Sequence, residues 1–289
     1  MMDLATQLFG LGCLLGGIGL GYRLATRPYR GQLAPAQKGI ILLVLLTLMG
    51  GFVGAFAWWI DLPSGFAWDL PPLASRMLAA AGWAFALACL LALRNPTRRH
   101  LRLITLMLTI YLLPLAVAIV IVHLDRFDPN APITYAFFII VGIMVSAALW
   151  FLLRPVGVAA QAHTPGTPPS LIQSWLQTVA LLTGLWGSAL FITAAGPSAL
   201  IWVWPQDLLA SRLIAVMLLT IAGAALYSVR YAYLARTTLW MIALYGIGVG
   251  AAGLWNLTAG KPVPVLYVAL FGLFALVSAL LGASQAKPT

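Results

Sequence analysis

The chain contains no glutamate, and its only acids are six aspartates among 289 residues. Charged residues make up 8% of the total, against roughly 25% in soluble domains. So little charge excludes an ordinary water-soluble globule. The absence of glutamate rules out an H-E-x-x-H zinc site, and neither a Walker A loop nor a G-x-S-x-G elbow occurs. General acid–base work would fall to Asp, His or Tyr. Paired carboxylates inside apolar segments, expected of many proton-coupled transporters, are missing too. There are two cysteines, Cys13 and Cys89, both within apolar tracts and without a C-x-x-C or a neighbouring histidine. They read as small buried apolar side chains. The three histidines, His100, His123 and His163, lie outside the middle of any apolar run. That argues against a multi-haem electron carrier. The expectation is no metal and no cofactor, with His123, near Asp125, the one weak candidate for holding either a cofactor or a proton.

What the chain has in abundance is apolar length. Hydrophobic residues are 62% of the sequence and the mean hydropathy is +0.99. Runs near 20 residues, the length needed to cross roughly 30 Å of hydrocarbon, recur nine times: 4–22, 39–60, 72–93, 101–123, 132–153, 172–195, 208–229, 237–257 and 264–284. L-G-C at Leu11 to Cys13 lacks a preceding basic stretch, so 4–22 is expected to be a retained span rather than a cleaved signal. Pro72, Pro132 and Pro264 stand at helix starts, where a missing N–H costs little. Pro114 predicts a kink inside the fourth span.

The net charge of +10 invites a nucleic-acid reading, but the basic residues sit in short loops between apolar runs. Positive-inside topology accounts for them better, and no nucleic-acid partner is expected. With the N-terminus outside, the inner loops hold twelve of the sixteen basic residues, including Arg23, Arg27, Arg94, Arg98, Arg99, Arg102, Arg154, Arg230 and Arg236. All six aspartates fall on the outer side. The chain is therefore expected in the cytoplasmic membrane, N-terminus out and C-terminus in. Trp58, Trp59, Trp68, Trp202, Trp204 and Trp255 gather at the outer boundary, and Trp150, Trp175 and Trp240 at the inner, where amphipathic rings anchor to headgroups. Trp83 and Trp186 are expected to pack between helices.

The chain also repeats itself. W-D-L-P-P-L-A-S-R from Trp68 to Arg76 returns as W-P-Q-D-L-L-A-S-R from Trp204 to Arg212, 136 positions on. Pro132, Tyr135, Val145, Ser146, Ala147 and Leu149 match Pro264, Tyr267, Val277, Ser278, Ala279 and Leu281 at a spacing of 132. G-F-V-G from Gly51 matches G-L-W-G from Gly184. Three tracts in the same order argue for duplication, which sets architecture before anything else. The expected fold is an all-α integral membrane protein of nine transmembrane helices, one N-terminal helix plus two tandem four-helix repeats. The divisions are 1–38 for the first helix and a basic loop, 39–154 for one repeat, 155–171 for a Pro-rich linker and 172–289 for the other repeat with a short tail. An even number of spans per unit makes the repeats parallel, related by an axis along the membrane normal. Glycines four apart (Gly12/Gly16, Gly17/Gly21, Gly50/Gly54 and Gly246/Gly250) are expected where helices approach closely.

Arg76 and Arg212 are the candidates for function. Each lies about one turn into a span from its outer end, and an ionisable group within a span is a functional hypothesis by default. The helix N-terminus adds partial positive charge and free N–H groups, and Ser75 and Ser211 add hydroxyls. Two such arginines facing one cleft would suit a carboxylate, a phosphate or an anionic headgroup, which guanidinium grips through paired hydrogen bonds. The competing reading has each arginine snorkelling to the headgroups or pairing with Asp69 or Asp207. Loop aspartates at helix ends usually act as caps.

The W-x-L-P-P-L-A-S-R tract, followed by an alanine- and leucine-rich span, resembles a motif of uncharacterised polytopic bacterial membrane proteins, in which a Trp/Pro outer loop leads to an Arg at a helix start. The resemblance covers 68–94 and 204–230, with Pro205-Gln206-Asp207 departing from it in the second copy, and implies a bacterial membrane protein. Three function classes remain open. One is a small permease or binding protein for an anionic small molecule or lipid. Another is a non-catalytic accessory or structural subunit of a larger membrane complex. The third is an enzyme on a lipid-borne substrate at the outer face. Enzymatic activity is the weakest of the three, for want of a catalytic constellation.

Overall fold

A computed structural model describes residues 4–29, 32–62, 68, 70–159, 166–193 and 207–285. Among these residues there are nine α-helices and no strand: α1 (Leu4–Thr26), α2 (Pro35–Trp59), α3 (Pro72–Arg94), α4 (Arg98–Val122), α5 (Pro132–Leu153), α6 (Ser170–Ile192), α7 (Leu208–Ser228), α8 (Ala232–Thr258) and α9 (Val265–Ser284). Helices α2 to α9 are each long and apolar enough to cross a membrane. Their positions follow the apolar runs closely. They overshoot those runs mainly where polar helix formers continue the turn, as at Arg98 and Arg99 in α4.

Local chemistry sets the ends. Proline occupies the first turn of α2, α3 and α5, pre-set for helical φ. The Thr97 hydroxyl accepts from His100 N (3.3 Å) at the start of α4, and the Asp207 carboxylate accepts from Ala210 N (3.1 Å) at the start of α7. Gly260, just beyond α8, turns the chain with φ +65°. Helix α4 continues through Pro114 without interruption.

Successive helices pair as α2 on α3, α4 on α5, α6 on α7 and α8 on α9, while α3 also packs along α8 and α4 along α7. The chain thus sorts into two four-helix groups, α2–α3–α8–α9 and α4–α5–α6–α7. Each takes two helices from the first half and two from the second. The groups touch more thinly, through α3–α4, α7–α8, α3–α7, α2–α5 and α2–α4. Helices α3, α7 and α8 are the buried centre. In α5 only 6% of the membrane-length window is covered, leaving Ile139, Ile140 and Ile143 exposed. Helix α1 leans on α2, with Gly17 against Met49 and Gly21 against Leu45.

The close approaches bear out Gly17 and Gly21 but correct the other glycine pairs read from sequence. Gly50, Gly250, Gly12 and Gly16 face open space, and Gly54 sits beneath Trp58 of its own helix. The α2–α3 crossing falls instead on Gly51 and Gly82, where a Cβ at either would lie 2.8 or 2.7 Å from the other's carbonyl oxygen. At α8–α9 it falls on Gly246, where a Cβ would run into the Phe271 carbonyl and lie 3.0 Å from Ala275 N. A four-residue spacing marks a shared helix face, but which residue meets the neighbour depends on the crossing angle.

Alternation of the helices places Asp61, Asp125, Asp128 and Asp207 at one end of the molecule and Arg94, Arg98, Arg99, Arg102, Arg154, Arg230 and Arg236 at the other. These ends are called the aspartate face and the arginine face below.

Candidate functional site

Arg76 and Arg212 occupy equivalent turns of α3 and α7 at the aspartate face, and each reaches across to a helix from the other half of the chain. The Arg76 Nη1 donates to Asn256 Oδ1 (3.3 Å) near the end of α8, and its guanidinium carbon lies 4.7 Å from the Trp255 ring centre. The side chain is buried to 8% exposure. Its Nε is sequestered with no hydrogen-bond partner, and among the described residues no carboxylate pairs with it. Arg212 is half-buried. Its Nε donates to the Phe191 carbonyl (3.3 Å) at the end of α6, and its Nη1 meets His123 Nε2 at the end of α4. Phe191 stands 133 positions after Trp58, whose carbonyl accepts from Ser75 Oγ (2.8 Å). Asn256 likewise stands 133 positions after His123. The two clasps therefore use corresponding places on corresponding helices.

The expected pairing of Arg212 with Asp207 does not form. Asp207 caps α7 and lies 3.9 Å from Arg126, with both side chains partly exposed. Such a contact contributes little. An acid at the cap points back along the first turn, and Arg212, five residues on, projects toward α4 and α6. Asp69 lies outside the described residues, as do Trp202, Trp204 and His163. The Ser75 hydroxyl is committed to the Trp58 carbonyl, and Ser211 is fully buried. Cys89 is buried and reduced. Trp83 packs on Trp59 (5.3 Å) and Trp186 on Tyr267 (5.1 Å), between helices as expected.

His123 holds the second clasp through Nε2, so that nitrogen is not open for a cofactor unless Arg212 lets go. To accept from a guanidinium the ring must be neutral, with its proton on Nδ1. Burial, followed by the neighbouring Arg212 charge, holds the imidazole below its ordinary 6.5; Asp125 opposes, Arg126 adds, and Asp207 opposes. A depressed histidine contributes stability above its unfolded value and loses it as pH falls, because the unfolded chain takes the proton first. Acidification from 8 toward 5 is therefore expected to lower the thermal midpoint of the wild type, with the loss setting in near 6.5. His123→Asn, which installs the partner found in the other clasp, should flatten that dependence while keeping the contact. Parallel curves for the two proteins would remove His123 as the titrating group.

Among the described residues no group of three or more His, Cys, Asp or Glu converges on a metal position. The cavities lie elsewhere. One of about 490 Å³ is lined almost wholly by apolar side chains of α1 to α5, with the Tyr111 ring among them. Another, of about 740 Å³, opens at the arginine face between the two halves and is lined by Arg94, His100, Tyr233, Arg236 and Trp240 among others. Sequence reading missed this second cavity because its residues were counted singly as loop charge. It missed Asn256, which carries no charge, and read Trp255 as a headgroup anchor rather than as a partner of Arg76. Aligning α4 with α8 at 133 would have placed Asn256 opposite His123.

The fold and this pair of clasps define a class: a multi-pass, all-helical membrane protein whose two halves are joined at one face by one buried and one half-buried arginine. Comparison with family models finds no match, and neither curated proteins nor solved structures return one.

Proposed function

We propose that the chain is a small permease or binding protein for an anionic small molecule or lipid. In this reading two tandem four-helix repeats lie in a bacterial cytoplasmic membrane, arginine face toward the cytoplasm. The observation that carries it is Arg76: a buried cation with an unpartnered Nε and, among the described residues, no carboxylate partner. Buried charges are normally paired, and an anionic ligand would supply what the protein withholds. Two features support duplication. Exchanging α2–α5 for α6–α9 maps α2–α3 onto α6–α7 and α3–α8 onto α7–α4, and it maps one arginine clasp onto the other. The thin seam between the two four-helix groups suits a permease, in which rigid bundles rock about a bound substrate.

The competing reading, an accessory subunit of a larger complex, draws on α5, whose exposed apolar flank would fit a protein neighbour as well as lipid. Native mass spectrometry of the wild type and of Arg76→Gln/Arg212→Gln, extracted gently from their own membrane, separates the two. We expect the wild type to retain a small anionic molecule or anionic lipid. The variant should lose it at normal yield. Stoichiometric partner proteins would favour the subunit, and retention of the same molecule by the variant would sink the arginine site.

A further inference from the structure

The cavity of about 740 Å³ at the arginine face is formed by both halves: the end of α3 and first turn of α4 on one side, and the ends of α6, α8 and α9 on the other. Arg94 and Arg236 line it, and both are exposed to solvent. His100, also lining it, is buried, with Nδ1 3.0 Å from the Thr97 hydroxyl and its ring 5.1 Å from that of Tyr233. Tyr233 and Trp240 give the cavity an aromatic wall, and Leu91 and Ile172 an aliphatic one. His100, Pro169 and Ala232 mark the starts of α4, α6 and α8, so three positive helix ends open nearby. The described residues place no aspartate at this end of the molecule, so the charge of Arg94 and Arg236 meets no side-chain carboxylate.

We propose that this cavity binds an anionic, phosphate-bearing molecule with an apolar or aromatic body. Guanidinium groups grip phosphate oxygens in pairs, and the helix ends reinforce them. The volume and the aromatic wall exceed what a bare ion would need. An anionic phospholipid entering from the adjacent leaflet and a soluble organic phosphate entering from water share this chemistry. The site uses neither Arg76 nor Arg212, so it stands or falls separately from the clasp reading.

The test uses the full-length protein in a neutral detergent, with two probes. Phenyl phosphate is titrated against phenol, and phosphatidylglycerol against zwitterionic phosphatidylcholine, with thermal unfolding as the readout. At least one anionic probe is expected to raise the midpoint. Arg94→Gln/Arg236→Gln should weaken that probe by about tenfold or more, as expected for loss of a two-arginine grip. The charge-matched pair Arg102→Gln/Arg230→Gln, exposed at the same face, should leave it within about twofold, since neither side chain lines the cavity and exposed charges that do not touch the ligand are screened by salt. A response to phenyl phosphate assigns a soluble ligand, and a response to phosphatidylglycerol alone assigns a lipid. Hydrogen exchange on the wild type gives a readout independent of any variant, with protection by the active probe expected at residues 92–101 and 232–240. No response to either anionic probe, equal loss in the two double variants, or no protection in those segments would overturn the proposal.

Discussion

Gly246→Val is expected to abolish the folded protein, whereas Gly250→Val, on the same face one turn away, leaves yield and stability nearly unchanged. At 246 any Cβ runs into the Phe271 carbonyl and crowds Ala275, both on α9. Neither obstacle is the far end of a flexible side chain, so α8 and α9 would have to separate. Their interface holds Tyr245 against Phe271 (5.1 Å) and the Tyr245–Tyr267 hydroxyl pair (3.1 Å), all fully buried. Parting the helices would disturb both. The expected destabilisation is about 3 kcal/mol or more, the upper end for an overpacked core. At 250 a Cβ meets nothing within 4 Å. Expression level and size-exclusion profile in detergent separate the two variants. A monodisperse Gly246→Val at wild-type yield would mean that α8 and α9 do not cross at this residue.

The second large effect concerns the buried arginine. Asn256→Leu is expected to destabilise by about 2 kcal/mol, because it strips a buried charge of the side-chain hydrogen-bond acceptor that the described residues give it. Arg76→Met is expected to cost under about 1 kcal/mol, since removing charge and desolvation together is often nearly neutral. The double variant should resemble Arg76→Met alone, which is the non-additivity expected of two groups in contact. Reversible unfolding in mixed micelles measures all three. This ordering carries the functional argument, because an arginine whose removal hardly affects stability, yet which stays buried with no carboxylate beside it among the described residues, is held for something other than the fold. If Arg76→Met destabilises as much as Asn256→Leu, Arg76 is a structural clamp and the permease reading loses its main support.

Part of this site was legible in the chain. The L-A-S-R tracts singled out Arg76 and Arg212 as equivalent, and the structure places both in the second turn of their helices on one face. Their partners were not legible. A charged side chain suggests a charged partner, so the reading that competed with a ligand site offered Asp69 or Asp207 beside snorkelling; Asp69 lies outside the described residues, and Asp207 turns to Arg126 instead. The observed contacts are an amide, an imidazole, a carbonyl and an indole ring, which carry no charge signal. The arginine-face cavity was hidden for a related reason: Arg94 and Arg236 are 142 positions apart and look like routine loop charge until α3 and α8 are laid side by side.

The sequence by itself determined the helices, their approximate ends and the gathering of most loop arginines at the face opposite the described aspartates. Each of these is a local property: an apolar run must cover its backbone polar groups as helix in hydrocarbon, and short loops cannot move their charges to the opposite side. Only the tertiary structure decided that each four-helix group is assembled from both halves of the chain, that Gly51, Gly82 and Gly246 rather than their neighbours lie at the crossings, and that Arg76 meets Asn256. All eight strongly apolar helices offer similar apolar surfaces to lipid and to one another, so hydropathy does not select partners. The selection comes from shape, through the few places where a missing side chain lets two backbones touch and the few where a polar group must find an acceptor away from water.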